Sequence, residues 1–256
     1  MWSSFVLCYH AVSDTWENTA AVRPQALQQQ MAWLADNGYR TVPFSVAVHR
    51  REQGRSVCIT FDDGFQSVYR RARPILASFG FTATVFVTTG FLSPLRELSW
   101  MGYAGLKNVP PGEMMPMSWT QLSELAADGW EIGSHTRTHP RLTEVRDEVM
   151  DDELRRSREE LRNGLGLDVT TLAYPYGDVD ARVRDAAAAA GYTAAAGLGP
   201  QLLRNDPLRW HRVGIYRRDS QRRFRLKVAR PLRGPLAAAT INEVRRFKQR
   251  GVDVPG

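Results

Sequence analysis

Ser56-Val-Cys-Ile-Thr-Phe-Asp-Asp-Gly64 decides how the rest of the chain is read. SVCITF, rich in apolar and β-branched residues, is a run of strand length and reads as an apolar strand. Two carboxylates follow directly, where unpaired burial would be costly. Within a regular strand, Asp62 and Asp63 would face opposite ways; at its end, where Gly64 relaxes the backbone, both can turn toward one site. An N-cap on a helix starting near Phe65 is the alternative, since Asp also serves that purpose.

Working outward, similar runs recur at 5–9, 39–42, 82–87, 130–133, 170–174, 193–196 and 212–216. Amphipathic segments lie between them at about 24–37, 65–78, 119–128, 144–164 and 180–190. Pro24 suits a first helical turn, and Gly38, Gly80 and Gly191 suit left-handed caps. Strand–helix alternation predicts an α/β fold with a parallel sheet flanked by helices. Periodicity leaves a closed barrel and an open doubly wound sheet both available. The long irregular stretch 88–118 reads as a wall of a substrate groove.

Two further motifs follow strand-like runs. Gly133-Ser-His-Thr-Arg-Thr-His-Pro140 spaces His135 and His139 so that both can meet one metal ion. Thr136 stands where a zincin helix has Glu, and Pro140 disfavours helix at His139, so the pair belongs to a loop. Two imidazoles and one carboxylate form a common catalytic zinc set. The third motif, Leu172-Ala-Tyr-Pro-Tyr-Gly177, reads alone as a tight turn with surface aromatics.

The three motifs in this order, TFDDG (60–64), HTRTHP (135–140) and AYPYG (173–177), resemble the polysaccharide deacetylases with a NodB-type domain, carbohydrate esterase family four. The resemblance covers roughly residues 5–216. It implies a distorted (β/α)7-type barrel, a divalent metal, Zn2+ by expectation, and hydrolysis of N-acetyl groups on N-acetylated sugars. It assigns Asp62 as general base, Asp63, His135 and His139 as metal ligands, and the backbone N–H of Tyr176 as oxyanion donor. Two positions depart from the pattern. Ala173 stands where the family commonly has Arg, and the late Leu-x-His motif is not clear. A subgroup resembling poly-N-acetylglucosamine deacetylases also carries AYPYG and begins with an apolar strand ending Tyr-His. Leu7-Cys-Tyr-His10 matches that pattern, which makes His10 the expected general acid, with His211 the alternative. Arg212 is the candidate replacement for the missing Arg; Tyr174, Trp210 and His211 are candidate support or substrate residues. Other expectations from the same residues are a related amide hydrolase, such as a deformylase, or a non-catalytic carbohydrate-binding module.

Charge divides the chain. From Arg204 onward there are 15 Lys/Arg against 4 Asp/Glu, net +11, whereas the whole chain carries +7. The body, at −4, is therefore mildly acidic, which argues against a specific nucleic-acid binder despite the high pI. Residues 1–217 read as the catalytic domain and 218–256 as a basic helix or tail suited to an anionic membrane surface. Cys8 and Cys58 sit inside apolar runs and read as buried free thiols. The N-terminal segment lacks a basic region before its apolar run, so the chain as written reads as cytoplasmic, without leader or transmembrane span.

Overall fold

The structure, a computed structural model, describes residues 5–49, 54–92, 95–99, 109–198 and 206–229. Strand β1 (Phe5–Tyr9) is followed by a short parallel pair, β2 (Ala11–Val12) and β3 (Ala21–Val22). Then come α1 (Pro24–Asp36), β4 (Arg40–Thr41), α2 (Phe44–His49) and β5 (Ser56–Phe61). A π-helical turn, Val68–Ala72, leads into α3 (Arg73–Ala77). The alternation continues through β6 (Thr84–Val87), α4 (Trp119–Ala127), β7 (Glu131–Ser134), α5 (Asp147–Leu165), β8 (Thr171–Ala173), α6 (Ala181–Ala189) and β9 (Ala194–Gly197). The last elements are β10 (Trp210–His211), β11 (Val213–Gly214) and α7 (Gln221–Ala229).

Every pairing in the main sheet is parallel, in the order β10-β9-β8-β7-β6-β5-β1-β11, with β4 added beside the start of β5. The two ends of this order are halves of one stretch. Trp210 and His211 pair with Ala196 and Gly197 of β9, and two residues later Val213 and Gly214 pair with Leu7 and Cys8 of β1. Residues 210–214 thus bridge the last strand to the first and bring the sheet close to a closed, distorted seven-stave barrel. Of the two architectures left available by the sequence, the barrel is the one observed.

The strands alternate between two cores. Val57, Ile59 and Phe61 pack outward with Leu27, Met31 and Leu34 of α1 and Leu122 and Leu125 of α4. Cys58 faces the other way, in a cluster with Val6, Phe86, Ala173, Ala194, Ala196 and Trp210. Alanines on three of these positions leave room for the bulky Phe86 and Trp210 in a narrow interior. Helix α1 begins at Pro24 and buries Leu27, Gln30, Met31 and Leu34, the i, i+3, i+4, i+7 stripe of a core-facing helix. Each such apolar side chain contributes about 1.5–3 kcal/mol by leaving water. Cys8 and Cys58 are free and fully buried, as expected.

Helix α7 is docked on the body. Phe224 is fully buried and meets Trp33 of α1 edge-on at 6.0 Å between ring centroids. The rest of the basic segment, from residue 230, lies outside the described residues, as do 93–94 and 100–108 of the long irregular stretch. No helix among the described residues is long and apolar enough to cross a membrane.

Candidate active site

Because the strands run parallel, their C-terminal ends share one edge, and the motif residues follow them there: His10 after β1, Asp62 and Asp63 after β5, His135 and His139 after β7, Tyr176 after β8. Arg212 enters from the bridging stretch between β10 and β11.

The adjacent aspartates are turned to different partners. Asp63 has φ +73°, a left-handed conformation uncommon outside glycine. Its Oδ1 lies 3.3 Å from His135 Nε2 and 3.5 Å from His139 Nε2. All three side chains are buried, and their ligand atoms lie within 4.8 Å of one another. His135 Nδ1 is 2.7 Å from the Ala173 carbonyl; that contact makes Nδ1 the N–H donor and turns Nε2 toward Asp63, where the neutral ring offers a lone pair to a cation and the protonated ring donates to the carboxylate. One carboxylate oxygen and two imidazole nitrogens converging in this way fit a divalent cation of borderline softness. Burial alone lowers the His135 pKa, but the hydrogen bond to Asp63 and the charges of Asp62 and Asp63 outweigh it and raise it.

Asp62 is held by a cation. Arg212 donates from Nη1 to Oδ1 at 2.6 Å and from Nη2 to Oδ2 at 2.7 Å, with Nη1 also donating to Thr60 Oγ1 at 3.0 Å. Arg212 is 1% exposed and Asp62 2%. Burial pushes the Asp62 carboxyl up, but the guanidinium more than offsets this and holds it well below the usual carboxylate range. The Cys8 thiol donates to the same carboxylate at 3.4 Å, and a ring nitrogen of His10 lies within 4.8 Å of ligand atoms of both Cys8 and Asp62. The helix-cap alternative for the aspartates does not hold, because both carboxylates are engaged by these partners.

The loop carrying the histidines is pinned by a residue that the motif reading missed. Glu153 of α5, 5% exposed, accepts from the backbone N–H groups of Arg137 and Thr138 at 2.7 and 2.8 Å and from the Thr138 hydroxyl. Its signal was a glutamate on the apolar stripe of α5 between Met150 and Leu154. Thr136 and His139 also have positive φ, 65° each. Tyr176 completes the set at φ +61°, its ring 4.7 Å from that of His139 and covered by Arg141 at 4.3 Å. Asp63, Thr136, His139 and Tyr176 are the non-glycine residues with positive φ among the described residues, and all lie in this cluster.

The remaining candidates sit apart. Tyr174 is fully buried and donates its hydroxyl to the Leu208 carbonyl at 2.9 Å, and Trp210 packs in the inner core, so both help hold the barrel together. His211 pairs with β9 and belongs to neither cluster of potential metal ligands.

Comparison with known proteins agrees with this geometry. A family model described as polysaccharide deacetylase matches residues 49–195, more than half of the chain. The chain belongs to the polysaccharide deacetylase family. Among relatives, YxkH of Bacillus subtilis (strain 168) is 26% identical over 217 residues, covering 82% of this chain and 70% of that protein. The poly-beta-1,6-N-acetyl-D-glucosamine N-deacetylase of Escherichia coli (strain K12) is 32% identical over 143 residues, 51% of this chain but 20% of that protein. The deacetylase PplD of Streptococcus pyogenes, solved in complex with acetate, shares the fold with TM-score 0.73 at 24% identity, covering 89% of this chain and 98% of that one. The chain therefore spans most of some relatives and only about one fifth of the Escherichia coli deacetylase. The resemblance to the poly-N-acetylglucosamine deacetylase subgroup thus stands on relatives as well as on motifs.

Proposed function

We propose that this deacetylase-family chain hydrolyses the acetamide of N-acetylated sugar units, using a divalent metal, Zn2+ by its donor set. The observation that carries the reading is the division of labour between adjacent aspartates: Asp62 bound bidentately by Arg212, Asp63 facing His135 and His139. Asp63, His135 and His139 would hold the ion. When bound, the ion supplies Lewis acidity, polarising the carbonyl and lowering the pKa of water toward ~7.

The chain's own residues carry the proton transfers. Asp62, kept ionised by Arg212, removes a proton from water as its oxygen adds to the acetamide carbon. The Tyr176 backbone N–H serves the oxyanion, a type of contact typically worth about 3–4 kcal/mol. His10, as imidazolium, protonates the departing nitrogen; the C–N bond breaks, and amine and acetate leave. Acetate release from N-acetylglucosamine oligomers and small N-acetyl glycosides tests the proposal. Release abolished by a chelator and restored by zinc supports it; no release from any member contradicts it.

We further propose that the basic C-terminal region rests on an anionic bilayer. On α7, Leu226 is 51% exposed, one turn after the exposed Arg222 and next to the exposed Arg225, a pattern suited to an anionic lipid surface.

A further inference from the structure

A second buried glutamate, Glu113, joins three segments that carry or flank catalytic residues, and has no part in the chemistry above. It lies in the irregular stretch after β6 and is 6% exposed. Its Oε1 accepts from the Ser13 hydroxyl at 2.7 Å and from the Thr15 hydroxyl at 2.9 Å. Arg71 Nη1 donates to Oε1 and Oε2 at 3.0 and 3.1 Å. Ser13 and Thr15 belong to the loop between β2 and β3, which follows His10. Arg71 lies in the π-helical turn that follows Asp62 and Asp63, an irregularity frequent at functional sites. The residues after Glu113 run along that same motif. Met117 N–H donates to the Gly64 carbonyl at 2.9 Å, and Gln66 N–H donates to the Met115 carbonyl at 2.8 Å.

The same network grips the chain two residues beyond His10. Val12 N–H donates to Ser67 Oγ at 3.1 Å, and the Val12 carbonyl accepts from Arg71 Nη1 at 2.7 Å. On the other side of His10, the Tyr9 carbonyl accepts from the Asp62 N–H at 3.0 Å. Ser13 is fully buried, and its hydroxyl accepts from the N–H groups of Thr15 and Trp16 while donating to Glu113. One carboxylate thus holds both the hydroxyl that shapes the loop after His10 and the guanidinium that anchors Val12. We propose that Glu113 is a positioning residue for proton delivery, fixing the backbone that carries His10 relative to the loop of Asp62 and Asp63. The proposal rests on the reading of His10 as general acid. Proton transfer needs heavy atoms about 2.6–3.2 Å apart, and a displacement of about 1 Å can cost about 100-fold in rate.

The test compares acetate release from an N-acetylglucosamine oligomer with that from 4-nitrophenyl acetate, whose phenolate departs without a proton. Wild type, Glu113→Ala, Glu113→Gln, His10→Ala and the double variant Glu113→Ala/His10→Ala are assayed, each checked for bound zinc and Tm. Glu113→Ala is expected to lower kcat on the oligomer about 10–100-fold, with KM and zinc content unchanged, and to lower turnover of the ester less than about threefold. Glu113→Gln keeps an acceptor for both hydroxyls and should recover most of the loss. In the His10→Ala background, Glu113→Ala should cost less than about twofold, because two changes acting on one proton transfer are not additive. Should Glu113→Ala fail to fold, Thr15→Val, at an exposed position, carries the same comparison: a smaller loss confined to the oligomer is expected. Equal losses on oligomer and ester, the same loss with and without His10, or unchanged oligomer turnover would overturn the proposal. If His10→Ala lowers both substrates alike, the acid role leaves His10 and the proposal falls with it. If His10→Ala spares the ester and the Glu113 variants do not, the proposal alone falls.

Discussion

Arg212→Met tests the clamp on Asp62. The substitution keeps an unbranched side chain of similar reach over Phe86 but removes both charge-assisted bonds, at 2.6 and 2.7 Å, from a carboxylate that is 2% exposed. Breaking one side of a buried ion pair typically costs about 3–5 kcal/mol, because the remaining charge is left uncompensated. For a domain of this size, 1 kcal/mol corresponds to a Tm change of about 2–4 °C, so Tm should fall by about 6–20 °C near neutral pH. The sign with pH follows from linkage. In the wild type, the Asp62 carboxyl sits below its unfolded value of ~3.9, so its stabilising contribution is fully present above that pH and is lost as pH falls through the folded value. In the variant, burial is opposed only by His135 and His10, and the carboxyl moves upward. The deficit should therefore be largest at neutral pH and shrink as pH approaches about 4. Thermal unfolding followed by circular dichroism at several pH values reads this directly, and acetate release should fall in parallel. A Tm drop below about 2 °C, or a drop of the same size at every pH, would refute the reasoning.

Other perturbations give distinct outcomes. Glu153→Ala removes three hydrogen bonds from the loop between His135 and His139, so metal affinity measured by competitive chelation should fall about 10–100-fold while the ligands themselves remain. Gly64→Ala imposes φ +76° on an alanine and puts its Cβ 2.8 Å from Val87 Cγ1, which should destabilise the fold by about 1–3 kcal/mol in urea titration. Leu226→Glu should leave the melting curve near that of wild type and weaken co-sedimentation with anionic vesicles; equal binding of wild type to neutral and anionic vesicles would end the membrane proposal.

Much of this arrangement was legible in the sequence because it follows from local signals. The run 56–61 begins and ends as a strand where its apolar residues do, and Pro24 and Gly38 bracket α1 as expected. Helix α5 starts at Asp147 rather than 144, because Leu142–Glu144 forms a 3-10 turn of its own. The helix expected over 65–78 contains a five-residue π-helical stretch, Val68–Ala72, a hydrogen-bonding shift that side-chain periodicity does not encode. Closure through residues 210–214 depends on two pairs of residues bonding to different strands, too few for any alternation to register. At the site, the paired aspartates and the two histidines stood out by type and spacing, and the resemblance to the family singled out Asp63, His135 and His139 as the ligand set. Arg212 bonds to Asp62 across 150 positions, and only its place beside an expected strand, together with the alanine at 173, suggested the pairing. Glu153 was hidden among the many charges of α5, since burial of one acid on an otherwise solvated helix is a tertiary fact.

The central claim is that neighbouring aspartates do different work. Asp62→Asn and Asp63→Asn, each assayed for bound zinc per chain and for acetate release from an N-acetylglucosamine oligomer, separate the two roles most directly. The account predicts that Asp62→Asn retains zinc near the wild-type amount and loses activity by at least about 100-fold, the lower range for general-base catalysis. It predicts that Asp63→Asn loses both. Full activity in Asp62→Asn, or zinc retained equally by both variants, would contradict it.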